Sequence, residues 1–212
     1  VESAIGFFDW IVDDDAQRQK GFEEARRNME LVAQIGGKYI AAPPMGAQNT
    51  KGVSLFCAAE RYAQLLELGA QHGVTPLLEV WGFSKTLNRL GEAALIAVES
   101  GNRDACILAD VYHLYKGGSP IEGLNLLRGS QQPLFHVNDY PDIARDQIQD
   151  ADRVYPGDGV APLLQIFQQL QDIGFNGALS LELFNPTYYQ QDALLVAQTG
   201  LLKLRQVVEA GS

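Results

Sequence analysis

Four polar residues interrupt otherwise apolar runs: Glu79 in L-L-E-V-W, Asp110 in I-L-A-D-V-Y, His136 in L-F-H-V-N-D and Glu182 in L-S-L-E-L-F. Each lies toward the C-terminal end of its run. Strand side chains alternate between faces, so Leu77, Glu79 and Trp81 share one face, as do Leu134, His136 and Asn138, and Ser180 with Glu182. On that alternation all four polar groups can point the same way. A lone carboxylate in a strand is commonly partnered by Lys or Arg, yet none of these runs contains either. Three converging carboxylates without a cation would carry a desolvation penalty and mutual repulsion. Either they are protonated or a metal sits between them, and the metal reading is preferred. Three carboxylates and one imidazole suit one divalent ion, Mn²⁺ first, with Mg²⁺, Co²⁺ or Zn²⁺ as alternatives.

Two further residues depend on what the backbone does. His113 lies three positions beyond Asp110 and would face away in a regular strand. It reaches the same place only if the strand ends near Val111 and the chain turns back; otherwise it is a surface histidine. Arg153, in D-A-D-R-V-Y-P-G-D-G, and Arg145 are the cations on the long stretch after His136. Taken alone, each reads as a solvated arginine.

The elements that must position these groups recur along the chain as a helix, a glycine, a few polar residues and a short apolar run. Gly36, Gly73, Gly101, Gly129 and Gly174 are expected to cap helices in the left-handed conformation. The runs after them are K-Y-I-A-A-P-P, T-P-L-L-E-V-W-G, A-C-I-L-A-D-V-Y-H-L, P-L-F-H-V-N-D-Y and G-A-L-S-L-E-L-F. Helical spacing joins Phe22, Ala25, Met29, Val32 and Ile35 behind Asp15 as N-cap, and Ala58, Tyr62, Leu65 and Gly69 behind Ser54. Ser119-Pro120-Ile121-Glu122 reads as a capping box with proline at the first helical position. Leu163, Leu164, Phe167, Leu170 and Ile173 form another stripe, and a last helix is expected from Gln190 to Glu209. Runs apolar on both faces, alternating with helices, predict a parallel sheet covered by helices. Gly157-Asp158-Gly159 follows a loop rather than a strand, so it is a turn and not a dinucleotide fingerprint. The expected class is α/β, a (β/α)8 TIM barrel forming one domain over 1–212. Counting a strand that ends near Phe7 and Phe8, six strands are found. They are read as strands 3–8, with about two N-terminal units missing.

Composition narrows the functional classes. Apolar residues make up 46% and charged ones 20% of 212 residues, enough for a buried core. Sixteen Lys and Arg against 26 Asp and Glu give a net charge of −10, which argues against nucleic-acid or anionic-membrane partners. No apolar run is long enough to span a bilayer and no signal-peptide pattern opens the chain, so a cytoplasmic protein is expected. Cys57 and Cys106 read as two reduced core thiols.

At the residues already named, the sequence resembles the xylose isomerase-like barrel family of sugar isomerases, epimerases and endonuclease IV enzymes. The shared set is Glu79, then D-x-x-H at Asp110 and His113, then His136 and Glu182. H-V-N-D-Y, D-R-V-Y-P-G-D-G and S-L-E-L-F-N-P-T-Y-Y further resemble inosose (2-keto-myo-inositol) isomerases. The similarity runs from about Ile5 to Val208. It implies Glu79, Asp110, His136 and Glu182 as metal ligands, His113 and Arg153 as substrate contacts, and a ketose or inosose as the small-molecule partner, with a homo-oligomer allowed.

The implied chemistry is carbonyl transposition or carbinol inversion through a cis-enediolate. A divalent metal would act as Lewis acid and template. Glu79 and Glu182 would serve as base and acid on the two faces of the intermediate. His113 would polarise the carbonyl and Arg153 anchor a hydroxyl. Trp81 would be an apolar wall against the ring, although core packing is the plainer reading. Two rivals stand beside this. An endonuclease IV-like phosphodiesterase would need several metals, and the chain has three histidines, His72, His113 and His136. A truncated, non-catalytic barrel could bind a sugar without turning it over.

Overall fold

The six apolar runs form six strands, each three to five residues long: β1 (Ser3–Ile5), β2 (Tyr39–Ala42), β3 (Thr75–Glu79), β4 (Cys106–Asp110), β5 (Leu134–Val137) and β6 (Ala178–Leu181). They are joined through α1 (Asp15–Gln34), α2 (Leu55–His72), α3 (Leu90–Glu99), α4 (Val111–Gly117) and α5 (Leu163–Asp172), with α6 (Pro186–Tyr189) and α7 (Ala193–Ala210) closing the order. The computed structural model describes residues 1–211. The chain divides into two compact units, Val1–Leu108 and Ala109 onward. The boundary falls inside β4.

In the first unit the strand order is β1-β2-β3-β4, all parallel, with Ile5 opposite Ala41, Ala41 opposite Leu77 and Glu79 opposite Leu108. Strands this apolar need cover on both faces. α1 and α2, which pack on each other, cover one of them through Ala25, Met29, Val32, Ala58, Tyr62 and Leu65, all buried. Two buried polar tips find backbone partners: Trp10 Nε1 donates to the Pro43 carbonyl at 2.8 Å, and the Tyr62 hydroxyl donates to Pro76 O at 2.8 Å.

In the second unit β4, β5 and β6 pair in parallel, with Asp110 opposite His136, and His136 opposite Ser180. Tyr112, Phe135, Val137, Ile148, Ile166, Phe167 and Leu170 form its apolar core. Among the described residues, no helix is long and apolar enough to cross a membrane.

Several local expectations are corrected. The N-cap of α1 is Asp14, whose side chain accepts from Gln17 N, rather than Asp15. Ser54 does cap α2. Ser119 opens no helix: Gly118 is left-handed at the end of α4 and Ser119 N donates back to Leu114 O at 2.9 Å, so Ser119 completes a helix stop. The next segment, Ile121–Leu126, is a 3₁₀ turn. Gly129 caps nothing because that segment stays in 3₁₀ turns, whereas Gly36, Gly73, Gly101 and Gly174 are left-handed as expected. The last helix begins at Ala193, after the separate short α6. The first strand ends at Ile5; Phe8 is fully buried and Phe7 exposed. Cys57 is no core thiol, since it sits on the solvent side of the first turn of α2, while Cys106 is half-buried.

Candidate functional site

Glu79 ends β3 in the first unit and is 2% exposed. Its register partner Leu108 stands two residues before Asp110 on the next strand. Trp81 lies just past the strand end, half-buried, with its ring 6.4 Å from Phe7 and 5.2 Å from Phe83. This puts it in an aromatic cluster, partly exposed through Phe7 and Phe83, rather than in the apolar core.

The second unit brings the other five residues together. Asp110 is the last residue of β4, and its Oδ1 accepts from His113 N at 2.8 Å, capping α4. Ending the strand there turns His113 back into the site, where its Nε2 lies 3.1 Å from Arg153 Nη2. Asp110 Oδ2 accepts from Asn138 Nδ2 at 2.8 Å and from Arg153 Nη1 at 3.3 Å. Glu182 lies one residue beyond β6, its N–H donating to Val137 O at 3.1 Å, so the pairing still aims it. Its Oε2 meets Arg153 Nη1 at 2.8 Å and His136 Nδ1 at 3.2 Å. Arg153 Nη2 also donates to Asp150 Oδ1 at 2.6 Å. The guanidinium lies 4.4 Å from the Tyr112 ring centroid and 5.0 Å from that of Phe184.

These contacts set the charges. Burial alone would raise Glu182, but the hydrogen bond and charge of His136, followed by Arg153, hold its carboxyl down at about 2. Burial raises Asp110 above the usual carboxylate range despite the opposing pull of Arg153. His113 is held well below its ordinary value, first by burial and then by Arg153. Burial opposes the charge on Arg153, and Asp110, Glu182 and Asp150 outweigh it, so the guanidinium stays protonated. With Arg153 donating from Nη2, His113 Nε2 is the acceptor and the ring proton is assigned to Nδ1.

The lack of a Lys or Arg inside the strands does not leave the carboxylates unpaired. The carboxylates do have a cation, Arg153, delivered from a loop rather than from a strand, and it is fully buried rather than solvated. Asp150 and Asn138 also belong to the cluster, although the sequence gives them no such role directly. Asn138 is legible from alternation with His136; Asp150 has no such signal.

Arg153 does not remove the case for a metal. Asp110, Asp150 and Glu182 place three carboxyls around a single guanidinium, so full ionisation leaves an excess of negative charge. Carboxylate oxygens beside an imidazole are donors for a hard-to-borderline divalent ion. The residues fit one.

The family model for xylose isomerase-like TIM barrels matches residues 2–206. The chain belongs to that family. It is 30% identical over 199 residues to an inosose isomerase of Bacillus velezensis, covering 91% of this chain and 70% of the relative. It is 26% identical over 200 residues to a 3-dehydro-D-guloside 4-epimerase of Escherichia coli, covering 86% and 71%. A 1.8 Å crystal structure of an IolI protein with a bound zinc atom superposes with a TM-score of 0.88 at 25% identity, covering 99% of this chain and 76% of that one. Across four inosose isomerases, this chain spans 64–70% of their length. The six parallel strands are therefore those of a TIM-barrel fold.

Proposed function

We propose that this protein is a divalent-metal-dependent isomerase or epimerase of ketoses or inososes, moving a proton at the carbon beside a carbonyl. The observation that carries the reading is the Glu182 carboxylate, held between His136 at 3.2 Å and Arg153 at 2.8 Å just past the C-terminal end of β6. Family membership and the names of the relatives support the substrate class.

His136, Glu182, Asp110 and, from the end of β3, Glu79 would hold the metal, Mn²⁺ first and Zn²⁺ as alternative. When bound, the ion supplies Lewis acidity toward a carbonyl oxygen. The chain's own groups do the rest. Glu182 is charged at neutral pH and can accept a proton. Arg153, locked by Asp110 and Asp150, fixes the direction of that carboxylate. Asn138 fixes Asp110 through one bond and holds Tyr112 N with its other end, at 2.9 Å. Glu79 is the second proton carrier and Trp81 an apolar wall. Neutral His113 would polarise the carbonyl, while Arg153 directs both Nη nitrogens at protein groups and contacts substrate only by giving one up.

The test is a panel of inososes and ketohexoses incubated with the Mn²⁺- or Zn²⁺-loaded protein, with products followed by NMR. Interconversion of at least one carbonyl sugar or cyclitol is expected. Inertness toward all of them, with cleavage of a phosphodiester instead, would overturn the reading.

A further inference from the structure

The chain from Tyr140 to Ala161 carries both Asp150 and Arg153, yet it contains only a short 3₁₀ turn, Asp150–Asp152. A loop of that length has many conformations to lose, and nothing in its own sequence forces Arg153 inward. The restraint comes from Asp139, two residues beyond β5 and 1% exposed. Its carboxylate accepts four backbone N–H groups drawn from both ends of the loop. Oδ1 takes Tyr140 N at 2.8 Å and Ala161 N at 2.8 Å, and Oδ2 takes Gly157 N at 3.0 Å and Gly159 N at 3.1 Å. Its backbone exchanges two more bonds with Val154, at 3.0 and 2.9 Å. Val154 is the residue after Arg153, so the clamp closes immediately beside the guanidinium. The fit is tight: a Cβ at Gly159 would collide with the Tyr140 carbonyl and with Asp139 Oδ1. On the far side, Asn185 Nδ2 donates to Arg153 O at 3.1 Å.

We propose that Asp139 is a positioning residue for the reaction: by gathering the loop backbone it holds Arg153 against Glu182 and Asp110. The proposal rests on the isomerase reading above for its kinetic consequence, but not for its structural one. Asp139→Asn replaces one acceptor oxygen with a donor, leaving two of the four N–H groups facing an NH₂.

Two readouts test it. In amide hydrogen exchange, Asp139→Asn should release one of the two pairs its carboxylate accepts, Tyr140 with Ala161 or Gly157 with Gly159, while leaving β5 protected. In kinetics, Asp139→Asn should lower kcat by about 10–100-fold, as supporting residues behind a site do, with KM changed far less. In an Arg153→Ala background the same substitution should cost no more than about twofold, because the group it positions is already gone. A merely structural role would instead multiply the Arg153→Ala loss undiminished, and that result overturns the proposal. So does wild-type kcat in a variant whose loop amides exchange freely. If Asp139→Asn does not fold, Gly159→Ala displaces the same turn from the other side. In the wild-type protein the four amides bound by Asp139 must exchange more slowly than those of 141–149, and the reverse order overturns the clamp. Should the wild-type protein turn over no carbonyl sugar or cyclitol, the isomerase reading fails while the exchange data still decide the clamp.

Discussion

Arg153 Nη1 donates to Glu182 Oε2 at 2.8 Å, joining a loop residue with no exposed surface to the residue just past β6. That contact sets the ionisation of Glu182 together with His136, and it makes a strand-end carboxylate dependent on a loop.

Removing Arg153 should therefore be costly. Arg153→Ala leaves Asp110 and Glu182 without their cation, and breaking a buried pair costs about 3–5 kcal/mol. Urea denaturation in EDTA should show a loss of that order, partly recovered when a divalent metal is added. A loss below about 1 kcal/mol, typical of a surface pair, would mean that the guanidinium is not buried in solution.

The pH dependence has a definite sign. Glu182 is held below its ordinary value of 4.5, at about 2. The stability it contributes is complete above its unfolded pKa and is lost as pH falls through 4.5 toward 2. Glu182→Gln lacks that loss. The stability difference between wild type and variant, from chemical denaturation at several pH values, should stay flat above about pH 5 and shift against the wild type below it. A difference constant down to the lowest pH measured would contradict the assignment.

Metal should be visible without turnover. An ion bound by the folded chain alone raises stability by about 2.7 kcal/mol at a hundred times its Kd. Adding Mn²⁺ or Zn²⁺ to EDTA-treated protein should raise the melting temperature, and His136→Ala should remove most of the rise. An undiminished rise in that variant would place the ion elsewhere.

The two thiols should react very differently. Cys57 is exposed, whereas burial, with Asp104 adding to it, pushes the Cys106 thiol up to about 11. Because the thiolate is the nucleophile, iodoacetamide at neutral pH should modify Cys57 alone. Cys106 should react only as the pH approaches its raised value. Equal labelling of both at neutral pH, read by peptide mass, would contradict the packing around β4.

The strand ends were legible because a parallel sheet needs apolar residues on both faces, so a carboxylate or imidazole inside such a run stands out. Glu79, Asp110, His136 and Glu182 were all visible on that ground. His113 was conditional on where β4 stopped, and the Asp110 side chain, by capping α4, decided it. Arg153 was visible as a residue but not as a buried one. Its place is set by backbone N–H groups far along the chain that donate to Asp139, which no local pattern encodes. Ser119 departs from its local pattern for a similar reason. Ser-Pro-x-Glu can open a helix, but here the left-handed Gly118 had already committed Ser119 to ending one.

The central claim is proton transfer at the carbon beside a carbonyl through Glu182, and solvent isotope uptake tests it most directly. The metal-loaded protein, held in D₂O with an inosose or ketose, should place deuterium at that carbon. Glu182→Gln, whose amide cannot accept the proton, should slow uptake by about 10²-fold or more. Deuterium uptake in Glu182→Gln at the wild-type rate would contradict the account.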